Sequence, residues 1–270
     1  MLVKLVALLI LQQLSIAFPG NKVFSSCCNG CGYSFTSNDE LRQAVNEFRP
    51  DAITAAYKYG IMNCWDVHLI TNMSFVFDNY SSNDTLNDPI DCWDVSGVTD
   101  MFAMFSFATT FNQPLNSWDV SCVTNMSCMF LYSSSFNQPL NSWNVSSVTD
   151  MNWMFLDAPF FNQPLNSWDV SSVTSMIMTF GAFSFGTSVF NQPLDNWDVS
   201  EVTLMYMMFT SAQSFNQPLN SWDVSSVTNM NGMFTGATSF NQPLDSWDVS
   251  SVTDMNGMLA GSTSFKSTRR

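Results

Sequence analysis

The sequence predicts an α/β repeat solenoid, a ladder of parallel strands with short helices on the opposite side. Three observations predict it. One phrase, FNQPLNSWDVSSVTNM at 215–230, recurs in close copies opening at Phe111, Phe136, Phe161, Phe190 and Phe240. Alignment on tryptophan gives eight units, at Trp65, Trp93, Trp118, Trp143, Trp168, Trp197, Trp222 and Trp247, spaced by 28, 25, 25, 25, 29, 25 and 25 residues. Within each unit the apolar period changes from alternation to steps of three and four. That repeat length falls in the leucine-rich-repeat range of roughly 20–29 residues.

In Trp222-Asp223-Val224, the order apolar, acidic, apolar predicts a short strand with Asp facing out. Val227, Met230, Met233, Phe234 and Ala237 then fit one face of a short helix. Thr228 stands where an N-cap would accept from a backbone N–H, and a Thr holds that place in all eight units. Asp100, Asp150 and Asp254 follow it, where a carboxylate suits a helix start. FNQPL is an extended return, since Pro243 disfavours helix before it. The two long spacings put their extra residues in one region of the cycle, as loops on one edge of a stack do. One unit cannot bury its core alone, so stability comes from stacking.

The first twenty residues, MLVKLVALLILQQLSIAFPG, read as a signal peptide cleaved after Ala17. A membrane span is disfavoured: Gln12 and Gln13 interrupt an apolar run already short of the ~20 residues a span needs. Residues 18–60 form a Cys-containing segment and a capping helix starting near Ser37, with Leu41, Ala44, Val45 and Phe48 inward and Pro50 ending it. The repeats fill 61–265, and 266–270 is a short tail.

Seven cysteines suit an oxidising compartment. Cys64 and Cys92 precede the tryptophans of adjacent units, close enough for a disulfide. Cys122 and Cys128 could pair across one turn. Cys27, Cys28 and Cys31 suggest disulfides rather than zinc, which wants a fourth ligand and a reducing compartment. Among the N-x-S/T sequons, Asn79 and Asn83 lie in an inserted loop and are the glycosylation candidates.

The formal net charge is −14, and no Lys or Arg lies between Ile61 and Ser264. That excludes phosphate-backbone binding by the repeats, hence nucleic acid, and argues against docking on anionic lipid. Asp66, Asp94, Asp119, Asp169, Asp198, Asp223 and Asp248 form a column, with Asn144 in the fourth unit. On parallel strands they would stack ~4.8 Å apart along a concave face. Two readings stay open: a stripe that contacts a cation such as calcium or a glycan, or a set of carboxylates that accept from nearby Ser and Thr groups and define a turn. No EF-hand or glycine-rich calcium pattern is present. The column Asn112, Asn137, Asn162, Asn191, Asn216 and Asn241 reads as a ladder stitching the loops. The single histidine, His68, reads as an exposed substitution. Trp153 breaks the tryptophan register and reads as a gap-filler in the core or a groove.

The units W-D-V-S-x-V-T-x-M-x-x-M-F and F-N-Q-P-L, with YKYGIMNCWDV at 57–67, resemble the repeat of BspA-like leucine-rich repeat surface proteins. The resemblance covers about 38–265. It implies a secreted or surface protein used in adhesion or recognition, and with the residue reading it leads to the expectation of a non-catalytic solenoid, not an enzyme, that binds a protein or glycan through its concave Ser/Asp face. The competing expectation is a structural matrix or wall protein, assembled by calcium or by end-to-end stacking through the C-terminal edge.

Overall fold

The computed structural model describes residues 32–79, 86–183 and 187–266. The signal segment 1–17, Cys27, Cys28, Cys31, Asn83 and most of the tail lie outside these. Helix α1 (Asn38–Phe48) opens the described chain. The Ser37 hydroxyl accepts from Glu40 N–H, and Leu41, Ala44, Val45 and Phe48 are buried, as the amphipathic spacing predicts. Helix α2 (Ala52–Tyr59) follows at once. Asp51 caps it by accepting from Thr54 N–H, and Gly60, at φ 77°, takes the left-handed conformation that ends it. A single 3₁₀ turn, Met62–Cys64, leads into the first rung.

Beyond that point the α/β strand-ladder solenoid is not what forms. Among the described residues the two helices above are the only α-helices, and the rungs contain neither strands nor helices. Each rung is a chain of turns. Parallel pairing is reduced to one isolated bridge per step, in a column from Asn72↔Asp100 through Asn125↔Asp150 to Asn229↔Asp254.

The Trp-Asp-Val alternation does bury Trp222 and Val224 and expose Asp223. The backbone there nevertheless turns on itself: Trp222 N–H donates to the Leu219 carbonyl and Val227 N–H to Val224. Turns that flip direction every few residues reproduce the burial pattern of a strand without its ladder.

The predicted helix fails for a different reason. In 100–108, the N–H groups of Met101, Ala103, Phe105 and Phe107 donate to the next rung's carbonyls at Asn125, Ser127, Met129 and Leu131. A helix would need those donors for its own carbonyls. Ala103 and Phe107 also sit at φ 52° and 56°, and a left-handed residue every fourth position is incompatible with a right-handed helix. The Thr residues are accordingly not N-caps. Each Thr Oγ1 donates back to the preceding rung's Thr carbonyl, at 3.0–3.2 Å from Thr99 to Thr253.

The core is columnar. Phe77, Phe105, Phe130, Phe155, Phe180, Phe209 and Phe234 stack at 5.1–5.7 Å between ring centroids. Each of the later six also packs on the return-segment Phe of its own rung, at 4.0–4.4 Å. The tryptophans form a third column. Their indole N–H groups donate to the preceding rung's Leu, Ile or Met carbonyl at 2.8–3.0 Å from Trp93 to Trp247, so a buried polar atom is paired rather than left costly.

Candidate functional site

The Asp column lies on one exposed surface of the rungs. Asp94, Asp119, Asp169, Asp198, Asp223 and Asp248 are exposed, and Asp66 is half-buried. Each accepts, through Oδ1, the backbone N–H two residues on, at 3.0–3.3 Å. Ser96, Ser171 and Ser200 add their hydroxyls to the same oxygen at 2.6–2.7 Å. These are Asx-turns, in which a short carboxylate replaces a backbone acceptor. Asn144 makes the same bond to Ser146 N–H at 3.2 Å, so the turn needs an oxygen at this position but no charge. The turn-defining reading of the column therefore holds locally.

The bonds leave an electrostatic mark. The Ser121, Ser171 and Ser225 hydroxyls, helped by the N–H of the same residues, hold Asp119, Asp169 and Asp223 below the usual carboxylate range. For Asp248 the Ser250 N–H is the main cause, opposed weakly by the neighbouring Asp223 charge. Asp66 is lowered chiefly by the His68 ring, whose Nδ1 lies 2.6 Å from Oδ1. His68 is exposed, as expected.

Oδ1 of these Asp residues accepts the turn's N–H, while the side chains lie exposed at the surface. The rungs thus carry a row of separate carboxylate oxygens on a surface without a Lys or Arg between Ile61 and Ser264. Among the described residues, no three His, Cys, Asp or Glu side chains converge as metal ligands. The row can accept hydrogen bonds and attract cations; it holds no nucleophile–base pair.

A second Asx column runs through the bridge positions. Asn72, Asp100, Asn125, Asp150, Asn229 and Asp254 each accept from the N–H two residues on, at 2.8–3.0 Å. Asp100, Asp150 and Asp254 therefore start a turn and not a helix. Where Ser175 cannot do so, Asn152 of the preceding rung reaches across and accepts from Ile177 N–H at 2.8 Å.

The predicted Asn ladder is present. Each Asn side-chain oxygen accepts the next rung's Asn N–H, from Asn112 to Asn137 and on to Asn241, at 2.9–3.0 Å. The Gln that follows adds its amide to the same group, as Gln163 does on Asn137.

Cys64 and Cys92 are each disulfide-bonded. Cys122 and Cys128 are free thiols, so the bridge expected between them is not made. Cys128 is buried, and burial, with Asp150 nearby, pushes its thiol up to about 12. Asn79 is also buried, at 6% exposure, and its N–H donates to Ser106. A glycan acceptor must be exposed, so Asn79 does not serve as one in this conformation. Trp153 is 42% exposed at φ 59°, which places it at the surface rather than in the core.

Sequence reasoning missed Asp157. It is fully buried and left-handed (φ 53°), and its Oδ1 accepts from Phe183 N–H at 2.8 Å. It pins the start of the inserted loop. The only sequence signal is an Asp where the neighbouring units carry Tyr132 and Ala182.

Fold and surface together define a repeat protein: a stack of turn-built rungs with exposed side-chain columns. The family model described as "Mycoplasma protein of unknown function, DUF285" matches residues 34–158, 71–185 and 161–269, and the chain belongs to that family. Neither a curated protein nor a solved structure matches it.

Proposed function

We propose that this chain is a secreted or cell-surface recognition protein of the BspA-like kind. It binds a protein or glycan through its Asp-bearing face and performs no catalysis. The observation that carries the reading is the row of exposed Asp residues, each with only its Oδ1 bonded to the turn's backbone N–H. Asn144 shows that the turn survives without the charge, so the fold alone does not call for carboxylates at the other positions. A carboxylate row on a surface without cations suits partners rich in Lys or Arg, or glycans offering hydroxyl donors.

The test replaces Asp119, Asp169, Asp198 and Asp223 by Asn. The turns are expected to persist, so the melting temperature should move little. Binding to a glycan array and to basic protein ligands should fall at least tenfold and lose its salt dependence. If the variant binds every ligand as the wild type does, the Asp face is not the recognition surface.

A further inference from the structure

The residue that opens each Asx-turn of the Asp column is followed by Val and then, in every unit but the first, by Ser. In the fourth unit the opening residue is Asn144. The turn there reads Asn-Val-Ser, an acceptor sequence for an N-linked glycan. Four other Asn-x-Ser/Thr sequences occur, at Asn72, Asn79, Asn83 and Asn125. Asn83 lies outside the described residues, and the structure separates the rest by their surroundings.

Asn79 is buried. Asn125 is half-buried; its Oδ1 takes both the N–H and the hydroxyl of Ser127, at 3.0 and 2.8 Å, and Ser127 is itself buried. Asn72 is exposed, but its amide donates to Asp100 Oδ2 at 3.3 Å, and the Ser74 hydroxyl donates to the same oxygen at 3.2 Å. Both groups of that sequence are thus tied to the next rung. Asn144 differs on every count. It is exposed, and its one side-chain bond among the described residues is the turn bond, Oδ1 accepting from Ser146 N–H at 3.2 Å. Neither Nδ2 nor the Ser146 hydroxyl makes a bond there. An N-linked sugar replaces one amide hydrogen and leaves the carbonyl oxygen in place, so the turn keeps its bond when the amide is modified.

We propose that Asn144 carries an N-linked oligosaccharide. The inference rests on the proposed secretion of the chain, because the donor, a lipid-pyrophosphate-linked oligosaccharide, acts inside a secretory compartment. Asn144 Nδ2 attacks the anomeric carbon of the donor. An N–C bond forms, the C–O bond to pyrophosphate breaks and leaves its electron pair on the lipid pyrophosphate, and the amide loses one proton. The sugar stands within the Asp row, at the one position without a carboxylate. It divides the row into Asp66, Asp94 and Asp119 on one side and Asp169, Asp198, Asp223 and Asp248 on the other. The longer unbroken run, Asp169 to Asp248, is then where a ligand of this face is held.

The test expresses the full chain, with its own leader, in a eukaryotic secretory host and reads secretion and glycosylation separately. Protein from the medium should lose mass on treatment with a peptide-N-glycosidase, and the peptide holding residue 144 should be recovered with Asn144 converted to Asp. Ser146→Ala keeps the turn's donor, which is a backbone N–H, and Asn144→Asp restores the residue of the neighbouring rungs. Each should abolish the glycan at this site and leave the melting temperature nearly unchanged. Retention of the chain inside the cell would count against the secretion reading alone. The leader is then exchanged for that of an established secreted protein, and a glycan on Asn144 still upholds the inference. Lumenal or secreted protein with Asn144 unmodified overturns it, as does a glycan at residue 144 that survives Ser146→Ala. Any Asp→Asn change in this column writes the same acceptor sequence, so the Asn variants of the binding test are made in a bacterial host that lacks the transfer.

Discussion

The rungs around Cys128 and Trp153 follow the same backbone path as those around Gly232 and Gly257, but build it from different residues. Six rungs have two left-handed positions, four residues apart, while those of Phe75 and Met178 show one each among the described residues. In the middle of the array they are Cys128 and Tyr132, then Trp153 and Asp157; in the last two rungs they are Gly232 and Gly236, then Gly257 and Gly261. A side chain there costs about 1–2 kcal/mol and glycine almost nothing. Middle rungs tolerate the strain because neighbours hold them on both sides. The last described rung is held on one side only, and there the residues that need no such help are found. The Gly232 rung has bonded neighbours on both sides and still carries glycine, so one backbone path is reached either by residues that need no help or by neighbours that hold strained ones in place.

Core deletions should break this contrast most visibly. Trp168→Ala removes a ring stacked on Trp143 and Trp197 and leaves the Leu140 carbonyl without its indole donor. A loss of about 3–5 kcal/mol is expected in chemical denaturation. Trp247→Ala, with a stacked indole on one side only, should cost clearly less; equal losses would mean that the two regions are equally supported.

The Asn ladder gives a smaller effect. Asn137→Ala strands the Asn162 N–H and removes one of the two Asn137 acceptors of the Gln163 amide, leaving the backbone carbonyl, at about 1–3 kcal/mol. Asn241→Ala, which among the described residues releases Lys266 N–H alone, should fall nearer the lower end. The glycine exchange sharpens the comparison directly. At Gly236 an added Cβ meets nothing closer than 3.5 Å, so Gly236→Ala tests backbone strain alone, at about 1 kcal/mol. Ser211→Gly, at the same place one rung earlier, should shift the unfolding midpoint the other way.

The smallest effect is on pH dependence. Asp119, Asp169, Asp223 and Asp248 are held below their unfolded values by Ser donors. Their contribution is present above about pH 4 and is lost as pH falls through the lower folded values. Replacing all four by Asn should flatten the acid limb of a stability–pH curve and leave the neutral plateau nearly unchanged.

Much of this was legible in the sequence. The columns of Trp, Val, Met and Phe are buried where their spacing put them, α1 starts at Ser37, and the Asn residues stitch successive rungs. The elements between them were not legible. Steps of three and four at Val227, Met230, Met233 and Ala237 suit a helical face, but they suit equally a chain of turns interrupted by left-handed residues. What decides is the conformation of residues such as Cys128, Tyr132 and Trp153, whose identities give no hint of a positive φ. The informative trace was glycine at four-residue spacing, in the two units 226–250 and 251–266, which reads at first as a loosened helix end. Helix α2 carried ordinary signals, Asp51 before it and Gly60 after it. Cysteine partners follow from spatial proximity, which spacing alone does not report.

The one-way bonds between rungs have an electrical consequence. In each bridge segment four peptide groups point their N–H toward the following rung, and one, at the Thr column, points back. Their dipoles do not cancel, so the array gains a macrodipole with every added unit, its positive pole at the C-terminal edge. An α-helix has the reverse sense, with its free N–H groups and positive pole at the beginning of the chain. At the negative pole of the array stands Asn38, the first residue of α1, so the positive end of a helix is set against the carbonyl row.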